Sequence, residues 1–170
     1  MLTALRHLLA ILILPFTVVV IVPRWLLTAW APRDSRWVMG SAPEFIGRAS
    51  GVIVFLAGFA LFLWCVSLFV RVGRGTLAPW DPTQQLVAVG PYRHVRNPMI
   101  SAVVTMLAGE ALMWGSRVVG EWALLFVGFN HLYFLLSEEP GLQRRFGASY
   151  VRYKAAVPRW VPRWHPYTGD

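Results

Sequence analysis

Residues 49–70 carry no charged side chain, and this run limits the possible folds more than any other feature of the chain. The hydrocarbon core of a bilayer takes about 20 helical residues, so the run is long enough to cross one. In hydrocarbon every backbone N–H and C=O must be paired within the segment, which leaves a helix. Three further apolar segments accompany it. Residues 8–22 are uncharged but short, and are expected to continue past Pro23 or to tilt. Residues 98–116 are interrupted by Glu110, and residues 118–137 by Glu121, Asn130 and His131.

The composition agrees. The chain is 56% hydrophobic and 14% charged, where a soluble domain carries about 25% charged residues. Its mean hydropathy is +0.52. One small water-soluble core cannot hide that much apolar surface. The expected fold is all-α: a polytopic membrane protein with about four transmembrane helices, forming a single integral membrane domain over residues 1–170. Residues 1–70 hold the first two spans, and residues 71–170 hold the rest.

Only Trp114-Gly115-Ser116-Arg117 separates the third and fourth spans, which forces them into an antiparallel helical hairpin. The 71–97 linker contains Gly73, Gly75, Pro79, Pro82, Gly90 and Pro91 and reads as an ordered loop. From Leu142 onward, Leu142, Phe146, Tyr150, Tyr153 and Val157 recur at helical spacing, with Arg144, Arg145, Arg152 and Lys154 largely between them. Trp160 and Trp164 follow among Pro158, Pro162 and Pro166. This pattern predicts a basic amphipathic helix on the membrane face, ending in an aromatic anchor.

With four spans, the N-terminus, the 71–97 loop and the C-terminal tail share one side. That side holds eleven basic residues against five on the other, which predicts that both termini and the loop are cytoplasmic. The formal charge of +8 does not point to nucleic acid, because the arginines interrupt apolar spans instead of lining one polar face. Cys65, the single cysteine, cannot form an internal disulfide. Ala29-Trp30-Ala31 resembles a signal-peptidase site, but Pro32 directly after it is a poor context for cleavage, so the first span is expected to be retained.

Two places could carry chemistry. The first is Gly90-Pro91-Tyr92-Arg93-His94-Val95-Arg96-Asn97-Pro98-Met99, just before the third span. Gly-Pro and Asn-Pro disfavour helix at the preceding residue. The potentially cationic side chains between them cannot enter hydrocarbon cheaply. A plain positive-inside anchor explains the charge, though not the dense Gly, Pro, Tyr and His around it. The second place is Glu138-Glu139, at the same face and at the far end of the hairpin's other helix. Carboxylates at a helix C-terminus oppose the macrodipole, so they need partners. Arg144 or Arg145 would suffice structurally; a ligand's cationic or hydroxyl groups would serve functionally. Glu110 and Glu121 are expected to pair with Arg117. Asn130 and His131 are expected to hydrogen-bond across helices or to line a pocket.

These residues resemble a known group, the membrane methyltransferases that include isoprenylcysteine carboxyl methyltransferase and the phospholipid N-methyltransferases. The resemblance runs from about Gly73 to Arg163 and rests on LVAVGPYRHVRNPM from Leu86 and EEPGLQRRFGASYVRYKAAVPRWVPR from Glu138. Asn97 stands where the carboxyl methyltransferases have His, and Asn-Pro-Met with Glu-Glu-Pro is closer to the phospholipid enzymes. Ile100 and Ala102 depart from the aromatic residue and glycine often found there. The resemblance implies S-adenosylmethionine as methyl donor, bound at the cytoplasmic face between the last two spans and the C-terminal segment. Gly90, Pro91, Tyr92, Arg93, His94, Val95, Asn97, Pro98, Met99 and Glu138 would form the cofactor pocket. Arg96 and Glu139 would be the catalytic pair, Arg96 orienting an anionic group and Glu139 binding the donor or positioning the acceptor.

The acceptor is expected to be lipophilic, either an isoprenylcysteine-like carboxylate or a phospholipid amine, taken from membrane lipid or a lipid-modified substrate. Methyl transfer from a sulfonium needs alignment and exclusion of water, and no metal. Two rival readings are a nicotinamide-dependent membrane reductase of the sterol-reductase type and a non-catalytic membrane subunit.

Overall fold

The computed structural model describes residues 12–34, 36–73 and 83–169, which are helical and contain no strand. The start of the first apolar segment and residues 74–82 of the expected loop lie outside the described residues. A π-helical run, Leu12–Ile21, leads without a break into α1 (Val22–Asp34). The helix thus continues past Pro23, as the short first segment requires. The change from π to α geometry falls at Val22, beside the proline that removes a backbone donor.

Helix α2 (Ala42–Leu68) ends in a π turn, Phe69–Gly73. It begins well before the uncharged run, because its first turns are polar but well capped. The Ser41 hydroxyl accepts from Glu44 N at 3.3 Å, and Arg48 pairs with Glu44 at 2.8 Å. The acidic Glu44 also suits the positive end of the helix. After the 3₁₀ turn Gly90–Arg93 come α3 (Pro98–Trp114) and α4 (Arg117–Tyr133). A π turn, Phe134–Glu138, then joins α4 to α5 (Glu139–Ala156).

The expected tight hairpin is present between α3 and α4. Gly115 ends α3 in the left-handed region at φ 61°, and the Ser116 hydroxyl caps α4 by accepting from Val119 N at 3.2 Å. Asp34, which no sequence motif singles out, also caps α4. It accepts from the Ser116 hydroxyl and from Arg117 N and Val118 N at 3.1 and 3.2 Å. Glu121 pairs with Arg117 at 2.6 Å as expected. Glu110 makes no ion pair with Arg117 among the described residues, and one of its carboxyl oxygens is buried without a hydrogen-bond partner.

Helices α2 and α3 pack backbone to backbone along a seam of small residues. A Cβ on Gly51 would sit 2.5 Å from Met113 N, and one on Gly109 would sit 2.6 Å from Phe55 N. One heptad along, a Cβ on Gly58 would sit 2.8 Å from the Ala102 carbonyl oxygen. Small side chains at such a seam let apolar helices gain van der Waals contact where no water is available to drive them together. Large apolar side chains remain exposed on the outer faces, among them Ile53, Leu56, Phe59 and Leu63 on α2 and Leu124, Leu125, Phe129 and Leu132 on α4. Such an outer surface suits lipid.

Two helical runs, Ala42–Gly73 and Arg117–Ala156, are long and apolar enough to cross a membrane, while Leu14–Trp30 and Pro98–Trp114 are shorter apolar helices. The second long run has 40 residues. At 1.5 Å per residue it measures about 60 Å, twice the roughly 30 Å of a hydrocarbon core. A run of that length exceeds one crossing, so part of it extends beyond the hydrocarbon core. A separate helix from Leu142 was expected, but α5 continues from α4, and the chain changes direction only at Gly147 (φ 53°, ψ −131°). The expected apolar face is real, yet it is covered by the protein itself. Tyr150, Tyr153 and Val157 are buried against Leu86, Ala88 and Tyr167.

Candidate active site

The Gly90–Met99 loop is clamped between the end of α5 and the segment that follows it. Gly90 opens the 3₁₀ turn at φ 57°, and the Pro91 carbonyl accepts from His94 N and Val95 N at 3.0 and 3.2 Å. Tyr92 is buried, stacks on Phe69 with centroids 5.7 Å apart, and accepts the Tyr153 hydroxyl at its backbone oxygen at 2.7 Å.

Residues 158–167 then run along the loop as a strap. Arg96 N donates to Pro158 O, Arg163 N to His94 O and Tyr167 N to Arg93 O, each at 2.9 Å. The side chains repeat the pattern: Arg93 Nε donates to Tyr167 O at 2.5 Å, and His94 Nδ1 lies 2.8 Å from Arg163 O. Arg93 and His94 therefore hold the strap. Val95 and Pro98 are buried supports.

At the centre stands Glu139, 4% exposed. Its Oε1 accepts from Arg96 Nη1 at 2.7 Å and from Arg159 Nε at 2.8 Å. Lys154 Nζ lies 2.8 Å from Oε2, a close charge contact outside hydrogen-bond alignment. Burial works against the Glu139 carboxylate. The Lys154 and Arg159 contacts, with the charges of Arg96 and Arg159, outweigh burial and hold its pKa below the ordinary value. The expected partners, Arg144 and Arg145, are not used. Both lie in α5 before Gly147, whereas Lys154 lies beyond that bend and Arg159 on the strap.

Glu138 is different. Among the described residues no hydrogen bond or ion pair reaches its carboxyl. Burial, and then the charge of Glu139, push its pKa up to about 7. The two adjacent carboxyls are thus driven apart in acidity, the arrangement that separates a fixed charge from a group able to exchange a proton.

Both glutamates border one cavity of about 690 Å³, within the roughly 300–1,000 Å³ of small-molecule sites. Of the sequence-predicted residues, Tyr92, Arg96, Asn97, Met99, Glu138 and Glu139 line it, whereas Gly90, Pro91, Arg93, His94, Val95 and Pro98 are not among its lining residues. Its polar end also includes Tyr150 and Arg145. Away from that end it runs between helices, past Val103, Phe126 and Phe129 to Leu14 and Val18. Asn130 lines this passage and donates to Phe126 O at 2.8 Å, while His131 receives Trp160 Nε1 at 3.1 Å.

A sequence profile of the phospholipid methyltransferase family matches residues 46–149. The chain belongs to the phospholipid methyltransferase family. No curated protein and no solved structure matches it. Membership assigns it to the methyltransferases that act on lipid, and together with the two long apolar helices it makes the chain a membrane protein. The matched region covers α2 from Ile46, the loop, α3, α4 and α5 as far as Ser149. Tyr150, Lys154 and Arg159 fall outside it. Tyr150 lines the cavity, Lys154 and Arg159 hold Glu139 from the C-terminal side, and none of the three was expected there from the sequence. Lys154, the only lysine of the chain, was the one available signal.

Proposed function

We propose that this cavity binds S-adenosylmethionine together with a phospholipid amine and methylates the amine nitrogen. The observation that carries the reading is one cavity bordered by Arg96 and Glu139, by the Glu138 carboxyl, which makes no ion pair among the described residues, and by an apolar passage between helices. The residues suit the cofactor's chemistry. Arg96, Lys154 and Arg159 together exceed the charge of Glu139 and favour a carboxylate nearby. Arg96 Nε is buried without a hydrogen-bond partner, a donor left over for an incoming acceptor atom. Asn97 and Tyr150 add polar contacts at the cavity wall.

When bound, S-adenosylmethionine supplies a methyl group on a positively charged sulfur that serves as leaving group. The amine nitrogen would take that methyl, and the sulfur would leave with the electron pair of the broken S–C bond. A lipid ammonium must first lose a proton. Glu138, poised near neutrality, accepts it and holds it away from the nitrogen. Glu139 keeps its charge and fixes Arg96, Lys154 and Arg159, so the cation cluster is organised before ligands arrive. The strap pins the loop that carries Arg96, which favours alignment of the reacting atoms. The apolar passage takes the acyl chains.

The placement in the membrane follows the charge count: four crossings, with both termini and the site on the cytoplasmic side. The test is incubation of membranes containing the protein with methyl-labelled S-adenosylmethionine and total membrane lipid. The expected product is a labelled amine phospholipid. Oxidation of reduced nicotinamide without methyl transfer would replace this reading with the reductase, and neither activity would leave the non-catalytic subunit.

A further inference from the structure

Glu138 and Arg145 are seven residues apart on one helical run, so they share a face and stand about 10 Å apart along its axis. Gly141 lies between them, and a Cβ built there would meet nothing within 4 Å. All three border the cavity. This face therefore presents a carboxyl, then open space, then a guanidinium.

Arg145 is held but not neutralised. Its Nη1 donates to Thr83 O at 3.2 Å, and its guanidinium lies 5.8 Å from the Phe146 ring centroid. No carboxylate pairs with it among the described residues. A guanidinium has five N–H donors in a planar fork suited to phosphate oxygens, and the tie to Thr83 uses one. An arginine serving only to fasten the 83–97 segment would not need to stand at the cavity wall.

We propose that Arg145 is the subsite for the acceptor's phosphate, with Gly141 leaving room for the headgroup to lie between it and Glu138. The inference rests on the methyltransferase reading and deepens it. The site selects an amine that carries an anionic phosphate a short chain away, and Arg145 is the residue that makes the selection.

The test uses the full chain in maltoside micelles, which contain no phosphate, with labelled S-adenosylmethionine. Two acceptors carry the same acyl chains: a diacyl glycerophosphoethanolamine, and an aminoethyl diacylglycerol ether without phosphate. In the wild type the phosphate lipid has the lower KM. Arg145→Gln raises that KM relative to the ether's by roughly tenfold or more, the size expected for a lost charge-assisted contact, and Arg145→Lys recovers part of the loss. Gly141→Leu raises the KM of both lipids. A ratio of KM values that Arg145→Gln leaves unchanged overturns the subsite, whether or not overall activity falls, and the methyltransferase reading survives. Failure of the wild type to methylate either lipid overturns that reading and the subsite with it.

Discussion

Arg96 Nη1 lies 2.7 Å from Glu139 Oε1, although the two residues are 43 positions apart and come from opposite arms of the hairpin. Their side chains are 11% and 5% exposed. The contact joins the Gly90–Met99 loop to the Glu138-Glu139 pair. It is also not a simple pair, because Arg159 and Lys154 share the same carboxylate.

That sharing predicts an asymmetry. Arg96→Ala leaves Glu139 with two cations, whereas Glu139→Ala leaves three cations clustered without a counter-charge. Removing one partner of a buried ion pair costs about 3–5 kcal/mol, so Glu139→Ala should lower the unfolding temperature in detergent more than Arg96→Ala does. In a double-mutant cycle the pair should couple by roughly 0.5–3 kcal/mol. Additive losses would show that Arg96 and Glu139 do not act together.

Glu138 predicts a pH effect with a definite sign. Its pKa rises from an ordinary 4.5 to about 7 in the folded protein, so ionising it costs fold stability. That cost grows as pH rises from 4.5 to 7 and is constant above. Glu138→Gln should therefore be more stable than wild type at pH 8 and differ little at pH 4. If proton acceptance by Glu138 limits turnover, methyl transfer by the wild type should increase through about pH 7, and Glu138→Gln should lose that limb. An unchanged pH profile in the variant would remove Glu138 from the proton's route.

The strap predicts a contrast between neighbouring tryptophans. Trp160 stacks near His131 and Phe134, at centroid distances of 6.3 and 5.7 Å, whereas Trp164 is 94% exposed. Trp160→Ala should loosen the strap, move Arg159 from Glu139 and reduce methyl transfer. Trp164→Ala should change detergent-phase stability by no more than about 0.5 kcal/mol. Limited proteolysis after residue 156 measures the loosening. Equal protection in both variants would contradict the role given to Trp160.

The glycine seam predicts a steric effect away from the site. Gly109→Leu forces α3 from α2 and should cost about 1–3 kcal/mol or more. Gly128→Ala, where an added Cβ meets nothing within 4 Å, should be tolerated and gains up to about 1 kcal/mol of helix propensity. Thermal unfolding of the two variants side by side checks the contrast.

Much of this was legible in the residues. Length and lack of charge located the apolar helices, and Gly115-Ser116 marked the hairpin because its cap chemistry is local. The loop and the Glu-Glu pair were found because polar groups at those places demand partners. What stayed hidden depends on contacts between distant segments. Nothing near Asp34 in sequence shows that it caps a helix beginning at Arg117. The nearest arginines in sequence to Glu139 were the wrong partners, since the bend at Gly147 and the return of the strap bring Lys154 and Arg159 instead. Periodicity located the apolar face of α5 correctly, but could not tell that loop and strap residues cover it instead of lipid.

The most direct test of the central claim follows purified protein in lipid vesicles containing phospholipid amines, with methyl-labelled S-adenosylmethionine, and compares wild type with Arg96→Ala and Glu139→Ala. The measured quantity is label transferred to phospholipid, alongside the amount of folded protein retained in the membrane. Transfer is expected from the wild type, and its loss in both variants with folded protein still present. Full transfer by both variants would contradict the central claim.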